Sequence, residues 1–338
     1  MAISNMEHSF DKTIEAHTQA PCRQAAEGAA RRLLGVMQHP MVPHVMAPKL
    51  SPPPSDFGQT NPALGIPRMA SLLAEMEAEP DEEALDLMSR QVEAGFLTDA
   101  APSEIWPELV RGLMGSSPSK MLRILRECGA LPRILPEVAA LFGVPQICDE
   151  ATDADLGEHV LNALAEAASC DAPLAARFAL LVMNVGKADS PPEHLPVHYK
   201  HMDRGRPRIE ALCERFGAPA ECRELALLSL AECERVHRVS KARAGPVALM
   251  LERLGAFDAS GLFTQLMTVC ACDYRAYAGR SGQVYPKAAL LEIALEACAE
   301  VEAIGFSADA SAVDARQSAR AEAIALAFRS RRWSDELT

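Results

Sequence analysis

Beyond residue 150 the chain reads as one amphipathic segment after another, at 156–170, 173–186, 207–217, 219–238, 246–255, 259–278, 287–304 and 314–332. Apolar residues return every three or four positions, and no stretch keeps the two-residue alternation of a half-buried strand. Ala, Leu, Glu and Arg dominate, β-branched runs are scarce and aromatic residues make up only 5%. Straight-chain residues lose little freedom in a helix, so this usage predicts an all-α architecture, a helical bundle followed by a tail helix. No internal repeat of solenoid period is present.

The upstream half carries fewer helical signals. From Asp81 the stretch DEEALDLMSRQVEAG puts acids in a first turn, sets Leu85, Met88 and Val92 on one face and stops at Gly95, which predicts a helix. Ser119 reads as the cap of a second, lined by Met121, Leu122, Leu125 and Cys128 and ended by Gly129. Pro132, Pro136 and Pro145 then break the chain into short turns. Residues 39–68 are rich in proline and without periodicity, which predicts an extended linker after an arm that is at most partly helical. The expected organisation is an arm and linker over 1–70, a small helical domain over 71–147, a larger one over 148–304 and a tail helix over 305–338.

Composition excludes several classes. Thirty-three basic against 46 acidic side chains leave a formal charge of −13, which opposes nonspecific coating of nucleic acid but allows specific RNA binding through a local basic face. With 49% hydrophobic and 23% charged residues the chain is of the core-forming kind. No apolar run reaches the roughly 18 residues of a membrane span. Glu7, Asp11 and Glu15 stand where a signal or transit peptide avoids acids, so a cytoplasmic location without a membrane partner is expected. The ten cysteines are scattered without a CxxC pair and read as reduced packing thiols. There is no GxSxG elbow, and no cysteine has a histidine partner evident from spacing.

The stretches ALDLMSRQVEAG and IWPELVRGLMGSSPSKMLRILRECGALPRILPEVAALFGVPQ, followed by GEHVLNAL, ARFALLVMNVGK, CERVHR, LMLERLGAFD and CDYRAYAGR, run in sequence over residues 80–304. This series resembles the neck and body of bacterial CCA-adding tRNA nucleotidyltransferases that carry a C-terminal HD domain. The resemblance implies a helical neck and body over 71–147 and a degenerate HD domain over 148–304. The family's catalytic head, with a Gly-Gly turn and paired magnesium-binding aspartates, finds no match, and the first 80 residues are too proline-rich to build it.

In the family's HD domain histidines and aspartates gather around a divalent metal that activates water. Residue by residue, the resemblance matches the lone His to His159, the distal Asp to Asp273 and a further ligand to His201. The adjacent His-Asp pair falls on Met183 and Asn184, in VMNVGK where the family reads close to CHDLGK. A thioether is a soft ligand and a neutral amide brings no charge, so neither replaces what a hard dication needs. A downstream family His appears as Cys233, while His237 is present. The expectation is a dead hydrolase without metal or other cofactor. Gly186 and Lys187 match the family; Lys187 is a phosphate candidate, set against a reading as a helix-end glycine followed by a surface lysine. His194, His198 and His201 in EHLPVHYKH read as solvated loop histidines, set against a residual transition-metal site that would not by itself restore hydrolysis.

Residues 200–243 hold ten basic against seven acidic side chains. Arg204, Arg206 and Arg208 alternate in HMDRGRPR, read as a short loop able to fork onto phosphates, against a reading as solvated helix-flanking charge. Arg111, Lys120, Arg123 and Arg126 stand where the resembled enzymes hold tRNA. Arg123 and Arg126 lie off the apolar stripe and are expected at the surface, whereas Trp106 reads as a core anchor. The expected function is a noncatalytic tRNA- or structured-RNA-binding or scaffold protein. The alternatives are the RNA-binding subunit of a split enzyme with a separate catalytic head, a structural subunit of a larger assembly, and an HD phosphohydrolase with altered metal ligands.

Overall fold

The computed structural model describes residues 62–147, 154–239, 243–258, 261–304 and 310–329. The expected arm and most of the proline-rich linker lie outside them. The described residues form α-helices joined by turns, with one two-residue strand pair, so the architecture is all-α.

The elements are α1 (Gly65–Glu75), α2 (Glu82–Glu93), α3 (Pro102–Met114), α4 (Pro118–Glu127), the one-turn α5 (Leu131–Ile134) and α6 (Pro136–Ala139), and β1 (Pro145–Gln146) antiparallel to β2 (Ala154–Asp155). Then come α7 (Leu156–Ser169), α8 (Leu174–Val182), α9 (His201–Phe216), α10 (Ala220–His237), α11 (Ala244–Arg253), α12 (Leu262–Arg275), α13 (Pro286–Ile304) and α14 (Ala310–Arg329). Two compact units are formed. One comprises 62–235 with Gln265–Val284; the other comprises 236–264 with the chain from Tyr285 onward.

In the first unit, caps decide where helices begin. Asp81 accepts a bond from the Ala84 N–H at 2.8 Å and starts α2, and Asp155 does the same for Glu158 at 2.9 Å and starts α7. Gly95, at φ +83°, ends the turn after α2 in a conformation that side chains resist. The stripe Met121, Leu122, Leu125 and Cys128 is wholly buried, and α4 packs on α1 and α7. Trp106 meets Phe178 edge-on at 5.7 Å and Phe216 at 6.2 Å, tying α3 to α8 and α9. Arg177 is buried and donates to the carbonyls of Ala172, Leu113 and Gly115, satisfying oxygens that the end of α3 leaves open.

Three expectations are corrected. Ser119 is not a cap: Pro118 occupies the first helical position, where its missing N–H costs nothing, and Ser117 precedes it. The final part of the supposed linker is a 3-10 turn, Pro62–Leu64, running into α1, where Pro67 sits in the first turn and is buried. The segment read as one helix over 173–186 ends at Val182, and a 3-10 turn, Val185–Lys187, follows.

In the second unit α14 packs along α11 and α13. Arg320 is buried with its guanidinium 3.9 Å over the Phe257 ring and 3.6 Å from Glu252, a desolvated stacking arrangement.

Candidate functional site

The residues matched to a metal centre come from α7, the turn after α8, α9 and α12. His159 on α7 and Asp273 on α12, 114 residues apart, are both buried, with Nε2 and Oδ1 at 2.9 Å. A carboxylate only accepts, so Nε2 carries the proton in this bond and has no lone pair to offer. Nδ1 is buried and finds no hydrogen-bond partner among the described residues. The ring packs 4.4 Å from Tyr277. Met183 and Asn184 are buried at the end of α8. His201, the first residue of α9, turns elsewhere: Nδ1–H donates to the His198 carbonyl at 2.8 Å, and Nε2 lies 3.6 Å from Glu234. Cys233 lies on α10 with its thiol 3.6 Å from that of Cys270, and His237 follows one turn later, its Nδ1 2.7 Å from the Tyr285 hydroxyl.

The chemistry of this donor set does not fit magnesium or manganese. A thioether and a neutral amide stand at two positions, and His159 and Asp273 are bonded to each other.

Beside it lies a polar network that spacing did not reveal. Lys187 is buried, not a surface residue; its ammonium donates to Gln146 Oε1 at 2.7 Å and lies 3.2 Å from Glu234. Gln146 in turn donates to the Tyr277 hydroxyl. The expected helix-end glycine is likewise corrected. Gly186 has an ordinary φ and lies against the backbone of α9, so that a Cβ there would stand 2.1 Å from the His201 carbonyl oxygen and 2.5 Å from the Gly205 nitrogen. Only two glycines let these backbones approach so closely.

The histidine loop is also less solvated than its composition suggests. His198 Nε2–H donates to the Pro145 carbonyl at 3.1 Å, which leaves Nδ1 to accept from Ser190 at 2.8 Å. Burial, with Lys187 nearby, holds the His198 pKa below the usual histidine value, and burial lowers that of His201. His194 is exposed, edge-on to Tyr199 at 5.3 Å.

HMDRGRPR is not a loop but the first two turns of α9. Arg204 donates to the Gly186 carbonyl at 3.0 Å and to Ser190, and Arg208 donates to the Val185 carbonyl and pairs with Asp189. Arg206 points to Glu210 at 3.8 Å. Two of the three guanidiniums therefore hold the 185–190 segment onto α9. In the N-terminal helices Arg111 lies 3.5 Å from Glu108, Lys120 2.8 Å from Glu79, and Arg123 and Arg126 2.8 and 3.4 Å from Glu158. Arg123 and Arg126 are about half exposed, at 46% and 49%, and Arg126 stacks 4.0 Å over Phe142.

No protein-family model matches the chain. Among curated proteins it is similar to the Multifunctional CCA protein of Cupriavidus necator, 42% identical over 221 residues, covering 65% of this chain and 54% of that protein. The Multifunctional CCA protein of Burkholderia cenocepacia is 39% identical over 270 residues, covering 78% and 65%, and that of Burkholderia pseudomallei 41% over 240 residues, covering 71% and 58%. The chain thus spans between about half and two thirds of the length of these relatives, a coverage consistent with a C-terminal portion of such a protein.

Proposed function

We propose that the chain is a noncatalytic RNA-binding protein of the tRNA-processing lineage, with a helical neck and body over 71–147 and a degenerate HD domain over 148–304. The observation that carries the noncatalytic part is the pair Met183–Asn184, buried where a hydrolase of this kind needs an imidazole and a carboxylate. Its failure is chemical: the pair supplies neither charge to neutralise a dication nor an anionic arm to orient activated water.

For the RNA part, similarity to the CCA proteins over more than 200 residues supports tRNA as the partner. The candidate contacts are Arg111, Lys120, Arg123 and Arg126, of which Arg123 and Arg126 are the more accessible. Exposed arginine–carboxylate pairs contribute at most about 1 kcal/mol, so a phosphate can displace Glu158 at little cost.

Two measurements test the two parts separately. Metal analysis together with assays on 2′,3′-cyclic phosphates, 2′-nucleotides and phosphodiesters is expected to show neither bound magnesium, manganese or nickel nor chelator-sensitive hydrolysis. One tightly held dication per chain with such activity would move the assignment to a hydrolase with an altered ligand set. A mobility shift with tRNA at moderate salt is expected to survive competition by bulk RNA. Loss of binding under that competition would sink the RNA reading. Co-purification of a separate head-like protein that restores CCA addition would instead make the chain the RNA-holding part of a split enzyme.

A further inference from the structure

Helix α12 carries two thiols that face different neighbours. Cys270 and Cys272 are two positions apart, about 200° around a helix, and each lies against another cysteine. Cys270 is 3.6 Å from Cys233 on α10, and Cys272 is 3.8 Å from Cys170, sulfur to sulfur. The pairs differ in access. Cys233, Cys270 and Cys272 are all buried, whereas Cys170, at the C-terminal end of α7, is partly open to solvent. Cys170 and Cys272 are both reduced.

We propose that Cys170 and Cys272 form a peroxide-reactive thiol pair, with Cys170 as the attacking sulfur and Cys272 as the resolving one, closing to a disulfide that ties α7 to α12. The sulfurs need approach by only about 1.8 Å to reach bonding distance. The Cys170 environment favours the reactive form: a hydrogen bond from Cys272, together with the charges of Arg275 and Arg177, outweighs burial and draws its pKa down to about 7. By contrast burial raises the thiols of Cys128 and Cys213, and that of Cys222 to about 12.

The oxidant is a hydroperoxide. The Cys170 thiolate attacks the distal peroxide oxygen and the O–O bond breaks. The leaving oxygen takes the proton that the Cys170 thiol gave up, which yields a sulfenic acid and an alcohol or, from hydrogen peroxide, water. The Cys272 sulfur then attacks the Cys170 sulfur, and the displaced hydroxide leaves as water with the Cys272 proton. Two electrons pass from the two sulfurs to one peroxide.

The consequence falls on the neighbouring residue. Asp273 follows Cys272 on α12, and its bond to His159 joins the same two helices that the disulfide would tether.

The test uses the full chain and hydrogen peroxide, with peptide mapping under non-reducing conditions. A Cys170–Cys272 linked peptide, lighter by two hydrogens and lost on adding dithiothreitol, is expected as the main product. Before oxidation, iodoacetamide at pH 7.5 is expected to label Cys170 about tenfold faster than Cys128, Cys213 or Cys222. In Cys272→Ser, peroxide should leave a Cys170 sulfenic acid that dimedone captures. A native protein whose Cys170 and Cys272 stay reduced under peroxide, or whose main disulfide joins Cys233 to Cys270 or involves Cys22 or Cys148, overturns the proposal. Those mapping results need no variant, so a Cys272→Ser chain that fails to fold leaves the test intact.

Discussion

Glu108 and Glu234 each gather two basic side chains, yet they stand in opposite relations to water. Glu108 is 5% exposed and bonded to Arg68 at 2.5 Å, with Arg111 3.5 Å away, inside the packed faces of α1 and α3. Glu234 is 42% exposed and meets Lys187 and His201 at the edge of the polar network around Gln146. In the first cluster the carboxylate is the buried member that both arginines depend on. In the second the buried member is the lysine, which keeps Gln146 whether or not Glu234 is present. The two clusters therefore fail differently: one by removing a buried counter-charge from packed helix faces, the other by loosening a surface network around an internal ammonium.

The largest effect is expected at Glu108. Glu108→Ala leaves two largely desolvated guanidiniums without this counter-charge and should cost about 3–5 kcal/mol in urea unfolding. A loss below about 1 kcal/mol would show that the cluster is hydrated and would erase the contrast. Lys187→Met removes the donor to Gln146 Oε1 and should cost about 1–3 kcal/mol. Equal effects of Lys187→Met and Glu234→Gln would place the weight on the ion pair rather than on the buried bond.

A third expectation concerns pH. His198 and His201 titrate below the ordinary value of 6.5 in the fold, chiefly through burial. The unfolded chain therefore takes up protons first as pH drops. Stability should be complete above about pH 6.5 and decline through the acid range below it. A flat profile from pH 7.5 to 5.5 in His198→Gln/His201→Gln, beside a falling one in the unmodified protein, would assign the decline to this pair. The smallest effect on stability is expected at the surface. Arg123→Ala with Arg126→Ala should change it by less than about 1 kcal/mol while reducing tRNA affinity severalfold. Unchanged affinity would remove these two residues from the proposed interface.

The contrast between the clusters also marks what spacing discloses. The stripe Met121, Leu122, Leu125 and Cys128 follows from helical period alone and is buried as a unit, because a helix must hide its apolar face locally. The longer helices past residue 150 follow from the same rule. The start of α9 does not, because Gly205 and Pro207 weigh as breakers by local propensity, whereas the helix is held by contacts with the 185–190 segment. Likewise Lys187 reads as a surface residue because its partners, Gln146 and Glu234, lie over forty residues away in either direction of the chain. His159 and Asp273 are paired by family resemblance; no periodicity spans the 114 residues between them. Apolar order is local and legible, while polar order is assembled by the fold.

Gly186 bears on how ancestry is read from short motifs. The letters Gly-Lys after Met183 and Asn184 resemble part of a hydrolase motif, and a motif scan would credit them to chemistry. In this molecule the glycine answers to a touching backbone and the lysine to an internal amide. Letters held by architecture persist for reasons of packing, so a short motif can be kept by the fold whatever chemistry its neighbours do or do not perform.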